Sequence, residues 1–451
     1  MHVHYFLGAL ASLRFGTLSG IVRCALRLRA PQLMQVHKMA FALVLLAACN
    51  TSTTAADGAV NMSDMMVTLV DGSSAPVIDL GTNDAPNVAL CPRMAGPADG
   101  ARNVVVSFPF DKNGMPSPAF GVLHLSSSGS LTTTTTRFDL GATSQGPIAF
   151  TPDGKVGVVA EDDGRLGIFR FDENGAPVVV AAAWKGGFYA QRLVMDPSGE
   201  RVWVLDSEWR ASGGGIYSVR LGCDGTPLDE GLRAPAKLPY ALVLLDGNRA
   251  ALAASDVLGS TAGKYSYLLS WPTPPAPPTL LAEGDAFGDD MSIVSDAVVT
   301  SDGKHLLIAD DNQFGTVPNR IAVVGVGAAT LAPESVLTPL SDPVALIASP
   351  FDDTVLVVEG MANAILIVDG PGAGKSGFSV RGPMTYKGAK PQLPGAAVMI
   401  ARGSLNGLVL VGENEGVRMV QLAASASVTD LGLVTTGKDL DTIVGAVGVT
   451  P

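Results

Sequence analysis

The chain has 451 residues, with 42 acidic against 30 basic side chains and a formal net charge of −12 at pH 7. That balance argues against nucleic acid or an anionic membrane surface as a partner and suits cations or a basic protein better. Gly (52) and Pro (30) are plentiful, charged residues make up only 16%, and 3.6-residue apolar periodicity is scarce, so many short strands and turns are expected.

The first element is out of its usual place. Met39 to Ala48 is a ten-residue uncharged run, behind Lys38 and ahead of Cys49 and a Thr/Ser stretch. It is about half the length a membrane-spanning helix needs, and its layout is that of a secretory signal peptide. The tetrapeptide Leu46-Ala47-Ala48-Cys49 resembles the lipobox of bacterial lipoproteins. The resemblance implies that Cys49 is lipidated and becomes the mature N-terminus, anchoring an exported protein to a membrane. Asn50 offers no Asp-type inner-membrane retention signal, which inclines the reading toward the outer membrane or cell envelope. The forty-residue offset fits a start assigned too early, with Met34 or Met39 the true one; a long basic pre-segment is the alternative. Residues 1–48 are therefore set aside, 49–85 are expected to be a flexible linker, and 86–451 the folded domain. Removing 1–48 takes away five Lys/Arg and no acid, leaving 25 basic against 42 acidic residues and a net charge of −17. Of four cysteines, Cys24 falls in the discarded part and Cys49 carries lipid. Cys91 and Cys223 remain, either as a disulfide that an exported compartment permits or as two buried thiols.

From there the chain repeats. Turns at Asp99-Gly100, Asp153-Gly154, Ser198-Gly199, Asp246-Gly247, Asp302-Gly303, Asp352-Asp353 and Asn406-Gly407 are spaced by 54, 45, 48, 56, 50 and 54 residues, each followed by an apolar strand. Units such as "FTPDGKVGVVAEDDGRLGIFRF" and "ASPFDDTVLVVEGMANAILIVDG" run strand, tight turn, strand with an acidic end, strand. Gly supplies the positive φ such turns need, and near-continuous apolar strands are expected where both sheet faces are covered. A unit of this length with about four strands predicts an all-β, seven-bladed β-propeller of four-stranded blades. The terminal "TIVGAVGVTP" reads as an inner strand with no blade behind it. It is expected to close the ring by pairing with the first blade's "NVVVSF", leaving no open edge; "NVALCP" competes for that place.

The wording of the units, best in "TPDGKVGVVAEDDGRLGIFRFDENG" and "TSDGKHLLIAD", resembles the YVTN/lactonase-like seven-bladed propellers over most of 98–451. Trp-Asp ends and Gly-Gly pairs of other propeller families are missing. The resemblance implies either sugar-lactone hydrolysis, as in propeller-type 6-phosphogluconolactonases, or a non-enzymatic surface role, and fold alone does not choose between them.

In a propeller the second-to-third-strand loops and the links between blades share one face. That gathers Glu161, Asp162, Asp163, Asp206, Glu208, Asp256, Asp310, Asp311, Glu359, Glu413 and Glu415 on one side. Asp285, Asp289, Asp290, Asp310 and Asp311 are the candidate ligands for Ca²⁺ or another divalent cation, which wants many oxygens; the competing reading is a solvated acidic rim. Phe188, Tyr189, Glu208 and Trp209 form a second candidate, a sugar-, peptide- or basic-protein-binding patch in which rings give rigid apolar contact. Trp184 is as well explained by packing between blades. "DGPGAGKS" (369–376) lacks the first Gly of a phosphate-binding loop and the helix behind it, so it reads as a surface loop. After Cys49 only His124 and His305 remain, both in expected strands, and neither a zinc pattern nor a Gly-x-Ser-x-Gly elbow is present. The leading expectation is a binding or scaffold module; the alternative is a lactonase-like hydrolase, with or without a divalent cation.

Overall fold

Seven sheets of four strands each fill the chain in the order of the repeats. The computed structural model describes residues 91, 93–111, 113–184, 187–207, 214–288, 292–311, 317–436 and 443–451. Blade 2 is built from Ile148–Phe150, Val156–Ala160, Leu166–Phe171 and Pro177–Trp184, and blade 3 from Ala190–Met195, Arg201–Asp206, Gly215–Leu221 and Pro227–Ala234. Blade 4 comprises Ala241–Leu245, Arg249–Ala253, Tyr265–Ser270 and Thr279–Asp285. Blade 5 comprises Val294–Val299, His305–Asp310, Asn319–Val326 and Leu331–Leu340. Blade 6 has Pro343–Ala348, Val355–Glu359, Ala364–Asp369 and Ser379–Pro383; blade 7 has Ala397–Met399, Leu408–Glu413, Gly416–Ala423 and Ser427–Thr435. All neighbouring strands are antiparallel, and the first strands of successive blades stand side by side in a closed ring. The molecule is a seven-bladed β-propeller.

Blade 1 joins the two ends of the sequence. Arg102–Phe110, Pro116–Leu125 and Leu131–Asp139 supply three strands, and Val447–Val449 supplies the innermost, pairing Val104 with Val449 and Val106 with Val447. Thr450 extends the ladder: its amide donates to the Asn103 carbonyl and its hydroxyl accepts the Asn103 amide, both at 2.9 Å. The closure is the one expected from "TIVGAVGVTP", and it removes an edge that would otherwise be open to other chains.

The continuous apolar strands have a simple cause. A strand's side chains alternate between faces, and here each face meets another blade. In blade 6, Val355 and Val357 join Leu307 and Ile321 of blade 5, whereas Leu356 and Val358 join Val409 and Val411 of blade 7. Seven such clusters fill the seven junctions. Burying a Val or Leu side chain stabilises by about 1.5–3 kcal/mol, so each strand contributes to two interfaces at once. The outer strands lose this two-sided cover: Leu131–Asp139 alternates buried or half-buried with exposed.

The repeated turn sits between first and second strands. Gly154, Gly199, Gly247, Gly303 and Gly407 all take positive φ, between 62° and 81°. The preceding Asp holds the turn: Asp153 Oδ1 accepts the Lys155 amide and the Thr151 hydroxyl, and Asp302 Oδ1 the Lys304 amide and the Thr300 hydroxyl.

On this turn face the chain enters the propeller. Cys91 and Cys223 form a disulfide, with their Cα atoms 5.1 Å apart, which decides between the two readings of these cysteines. Arg93 is buried, donates to the Gly222 carbonyl at 2.5 Å and pairs with Asp153 at 3.3 Å. Further along, Gly96 donates to the Pro152 carbonyl and Asp99 accepts the Ser404 amide at 2.6 Å. The segment is thus a strap from blade 3 across blade 2 to blade 7. A covalent loop of this length stabilises the fold by about 2–4 kcal/mol.

Candidate functional site

The face opposite the turns carries the strand-two exits, and there five of the acids are consumed by the fold, while Asp163 and Glu415 stay exposed. Asp206 Oδ1 accepts the Tyr189 amide at 2.8 Å, Asp310 Oδ1 the Ile293 amide at 2.9 Å, Glu359 Oε1 the Ser341 amide at 2.7 Å, and Glu413 Oε2 the Gln392 amide at 2.9 Å. In blade 2, Asp162 Oδ1 takes the Gln145 amide at 3.0 Å. The same device recurs five times: a carboxylate ending the second strand clamps the link that feeds the first strand of its own blade. Blade 1 does it with a hydroxyl, Ser107 Oγ accepting the Ala446 amide at 2.8 Å. Links are irregular backbone whose amides need partners when buried, and a carboxylate is a strong acceptor. Asp206, Asp310, Glu359 and Glu413 are all under 4% exposed, so they form no solvated rim.

The Asp310 and Glu413 clamps carry a counter-charge. Arg320 Nε meets Asp310 Oδ2 at 2.9 Å, with Phe287 beneath the guanidinium at 4.7 Å. Arg418 lies between Glu413 at 3.0 Å and Asp430 at 2.7 Å, over the Tyr386 ring at 5.6 Å. Burial nevertheless raises the pKa of both Asp310 and Glu413, with the arginines pulling the other way. Glu359 is raised too, by burial first and then by neighbouring Asp342.

The channel lined by the first strands holds one charged pair that no sequence motif announces. Arg192 of blade 3 reaches past blade 4 to Asp296 of blade 5, while Asp296 Oδ2 accepts the Leu346 amide of blade 6 at 2.8 Å and its Oδ1 the Ala297 amide. Burial lowers the Arg192 pKa to about 10, so it remains a cation at neutral pH. Asp296 is saturated. The signal available was compositional: Arg192 and Asp296 are single charges in the short first strands AQRLVM and VSDAVV, but 104 residues separate them.

The other sequence candidates are placed as follows. Phe188 is 3% exposed and packs edge-to-face on Tyr217 at 5.3 Å, whereas Tyr189 is 45% exposed. Trp184 is half-buried against the blade 2–blade 3 core. Glu208, Trp209, Asp289 and Asp290 lie outside the described residues. Asp285 pairs with Lys264 at 2.9 Å, a hydrogen bond that holds its carboxyl below the ordinary range. Asp311 is buried and accepts from the Asn319 amide group at 3.3 Å. Among the described residues, candidate metal-ligating atoms come together instead on the turn face, at Asp302, His305 and Asp353. The Asp369–Ser376 stretch is a loop with a single 3₁₀ turn, Pro371–Ala373, as expected.

With this geometry in view, comparison with solved structures gives the same architecture. The structure of a protein from Bacteroides fragilis NCTC 9343, provisionally named 6-phosphogluconolactonase, aligns with a TM-score of 0.53 at 13% identity over 79% of this chain and 100% of its own. One from Bacteroides uniformis ATCC 8492, named in the same provisional way, aligns with a TM-score of 0.54 at 12% identity over 77% and 99%. No protein-family model and no curated protein matches the chain. Identities this low establish the shared fold and leave activity to be argued from side chains.

Proposed function

We propose that the protein is an exported, lipid-anchored binding propeller whose ligand docks on the face formed by the links and the second-to-third-strand loops. The observation that carries this reading is the state of that face's acids. Asp206, Asp310, Glu359 and Glu413 are buried against link amides, and Asp296 is held by Arg192 and two amides. A general base must reach its proton, and these carboxylates are turned into the fold. Apolar side chains meet solvent on the same face, Tyr189 (45% exposed), Ile293 (41%) and Met361 (45%), beside the exposed charges of Asp163, Arg165 and Glu415. Apolar and aromatic side chains ringed by polar surface suit a sugar, a peptide or a basic protein segment. The Cys91–Cys223 disulfide supports export, since such bonds form and persist in oxidising compartments. Anchoring through Cys49 is tested by Cys49→Ala, which should release the protein from the membrane fraction.

Arg192 favours a second reading. A channel arginine with a third of its side chain open to water could receive an anionic sugar lactone. One experiment separates the two: acid release from a panel of sugar and acyl lactones, with and without EDTA, beside binding to immobilised sugars and basic peptides. The expected result is no turnover, with retention on a sugar or peptide that Tyr189→Ala weakens at least tenfold. Turnover lost in Arg192→Met would instead make the protein a lactonase.

A further inference from the structure

The turn face between blades 5 and 6 departs from the repeat at two positions. Counting from the second strand, Asp353 stands where Gly154 and Gly303 stand in their turns, and His305 stands where Val156 and Val355 begin theirs, a place that Arg201, Arg249 and Leu408 fill in blades 3, 4 and 7. Neither change helps the local fold. Replacing the turn glycine gives up its conformational freedom, and the histidine brings two polar nitrogens into the junction. Together they place a ring nitrogen of His305 and one carboxylate oxygen each of Asp302 and Asp353 within 4.8 Å of one another.

The histidine supplies an independent observation. Its Nδ1 is buried and has no hydrogen-bond partner, a state that ordinarily costs stability. Its Nε2 lies 3.7 Å from Glu334, and the ring packs edge-to-face on Phe378 at 5.0 Å. Metal-bound imidazoles characteristically give their second nitrogen to a carboxylate that fixes the ring; at 3.7 Å, Glu334 lies just beyond hydrogen-bond reach of that nitrogen. The two aspartates are held from behind. Asp302 Oδ1 is fixed by Thr300 and Lys304, and Asp353 Oδ2 accepts the Gly372 amide at 2.8 Å. A nearby cation, the Lys304 ammonium 3.1 Å from Asp302, sits on a 72% exposed side chain that can swing into water.

We propose that Asp302, His305 and Asp353 form a site for a divalent transition metal of the zinc class, with His305 Nδ1 as its nitrogen ligand, and that the ion bolts blade 5 to blade 6. One imidazole and two carboxylates with room for water suit Zn²⁺ at ligand distances of roughly 2.0–2.2 Å. Ca²⁺, which takes six to eight oxygens, fits this donor set poorly. The site is separate from the binding face and rests on no reading of it.

The test is calorimetric titration of the EDTA-treated, dialysed full-length protein with ZnCl₂, alongside thermal unfolding with and without the metal. The expected result is one equivalent of Zn²⁺ bound per chain at this site and a rise of about 3 °C or more in Tm at saturating metal. His305→Val, which puts in the residue that blades 2 and 6 carry, should keep the far-UV circular dichroism and lose both effects; Asp353→Asn should do the same. Glu334→Gln should weaken binding about 10–100-fold without abolishing it. Zinc binding and Tm shift unchanged in His305→Val would overturn the proposal, as would the absence of any stoichiometric zinc binding by the parent protein. A Ca²⁺-induced shift larger than that of Zn²⁺ would overturn the assigned metal class.

Discussion

Blades 5 and 6 solve one problem in two ways. Each ends its second strand in a buried carboxylate that accepts a link amide, Asp310 from Ile293 and Glu359 from Ser341. In blade 5 the charge has Arg320 beside it, itself only 6% exposed and bonded also to the Ser292 hydroxyl at 3.2 Å. In blade 6 no cation pairs with Glu359 among the described residues, and the neighbouring charge is that of Asp342, which raises its pKa further. The clamp therefore needs an acceptor, and the negative charge is incidental to it. Burial raises the pKa of both acids; in blade 5 the arginine opposes that rise, and in blade 6 Asp342 adds to it.

The largest effect should come from removing the answer. Arg320→Met keeps most of the side-chain volume over Phe287 but leaves Asp310 buried without its partner, which costs about 3–5 kcal/mol. Urea unfolding at pH 7.5 would measure it. The loss should shrink as the pH is lowered, because protonating Asp310 removes the stranded charge. A loss that stays constant with pH would mean that packing on Phe287, rather than charge, is what Arg320 provides.

A smaller loss should follow from changing the acid itself. Asp310→Asn keeps an oxygen for the Ile293 amide but strands the Arg320 guanidinium, at about 1–3 kcal/mol. Asp206→Ala tests the clamp in a different blade by deleting the acceptor altogether. The Tyr189 amide would lose its partner for about 1–3 kcal/mol, and exchange of that amide hydrogen should speed up before any global loss of structure. If the exchange rate is unchanged, the clamp is not what holds the link.

How much of this was written in the sequence depends on the range of each contact. Turns at Asp153-Gly154 and Asp302-Gly303 are local and could be read from spacing. Closure by Val447–Val449 was legible too, because a lone first strand has only one place to go. The acids at the strand ends were visible as positions, yet they suggested a solvated rim or a calcium site, since charged residues are seldom fully buried. What buries them is a link 17–21 residues upstream folding over them, a tertiary contact that a turn-and-strand pattern does not encode. Phe188 illustrates the same limit: beside exposed Tyr189 in the sequence, it turns inward onto Tyr217. Arg192 and Asp296 meet only because blade 4 between them completes the curve of the ring. His305 and Asp353 were recoverable in principle, as a histidine where blades 2 and 6 carry valine and an aspartate in a glycine's place, but only by reading each unit against the others.

The smallest effect runs in the opposite direction. Because the folded protein raises the Glu359 pKa, the folded state binds that proton more tightly than the unfolded chain does. Its contribution is therefore fully present below the ordinary glutamate pKa of about 4.3 and is lost as the pH rises through the raised, folded value. Glu359→Gln puts a neutral amide in that place, which resembles the protonated acid at every pH and keeps an oxygen for the Ser341 amide. The variant should match the parent below about pH 4 and exceed it by about 0.5–1 kcal/mol at pH 8. Paired urea titrations at the two pH values would decide it. A gain at pH 8 would set blade 6 apart from blade 5, where the corresponding Asp310→Asn destabilises. A loss at pH 8 would mean that the Glu359 charge is itself used, and that a partner for it outweighs Asp342.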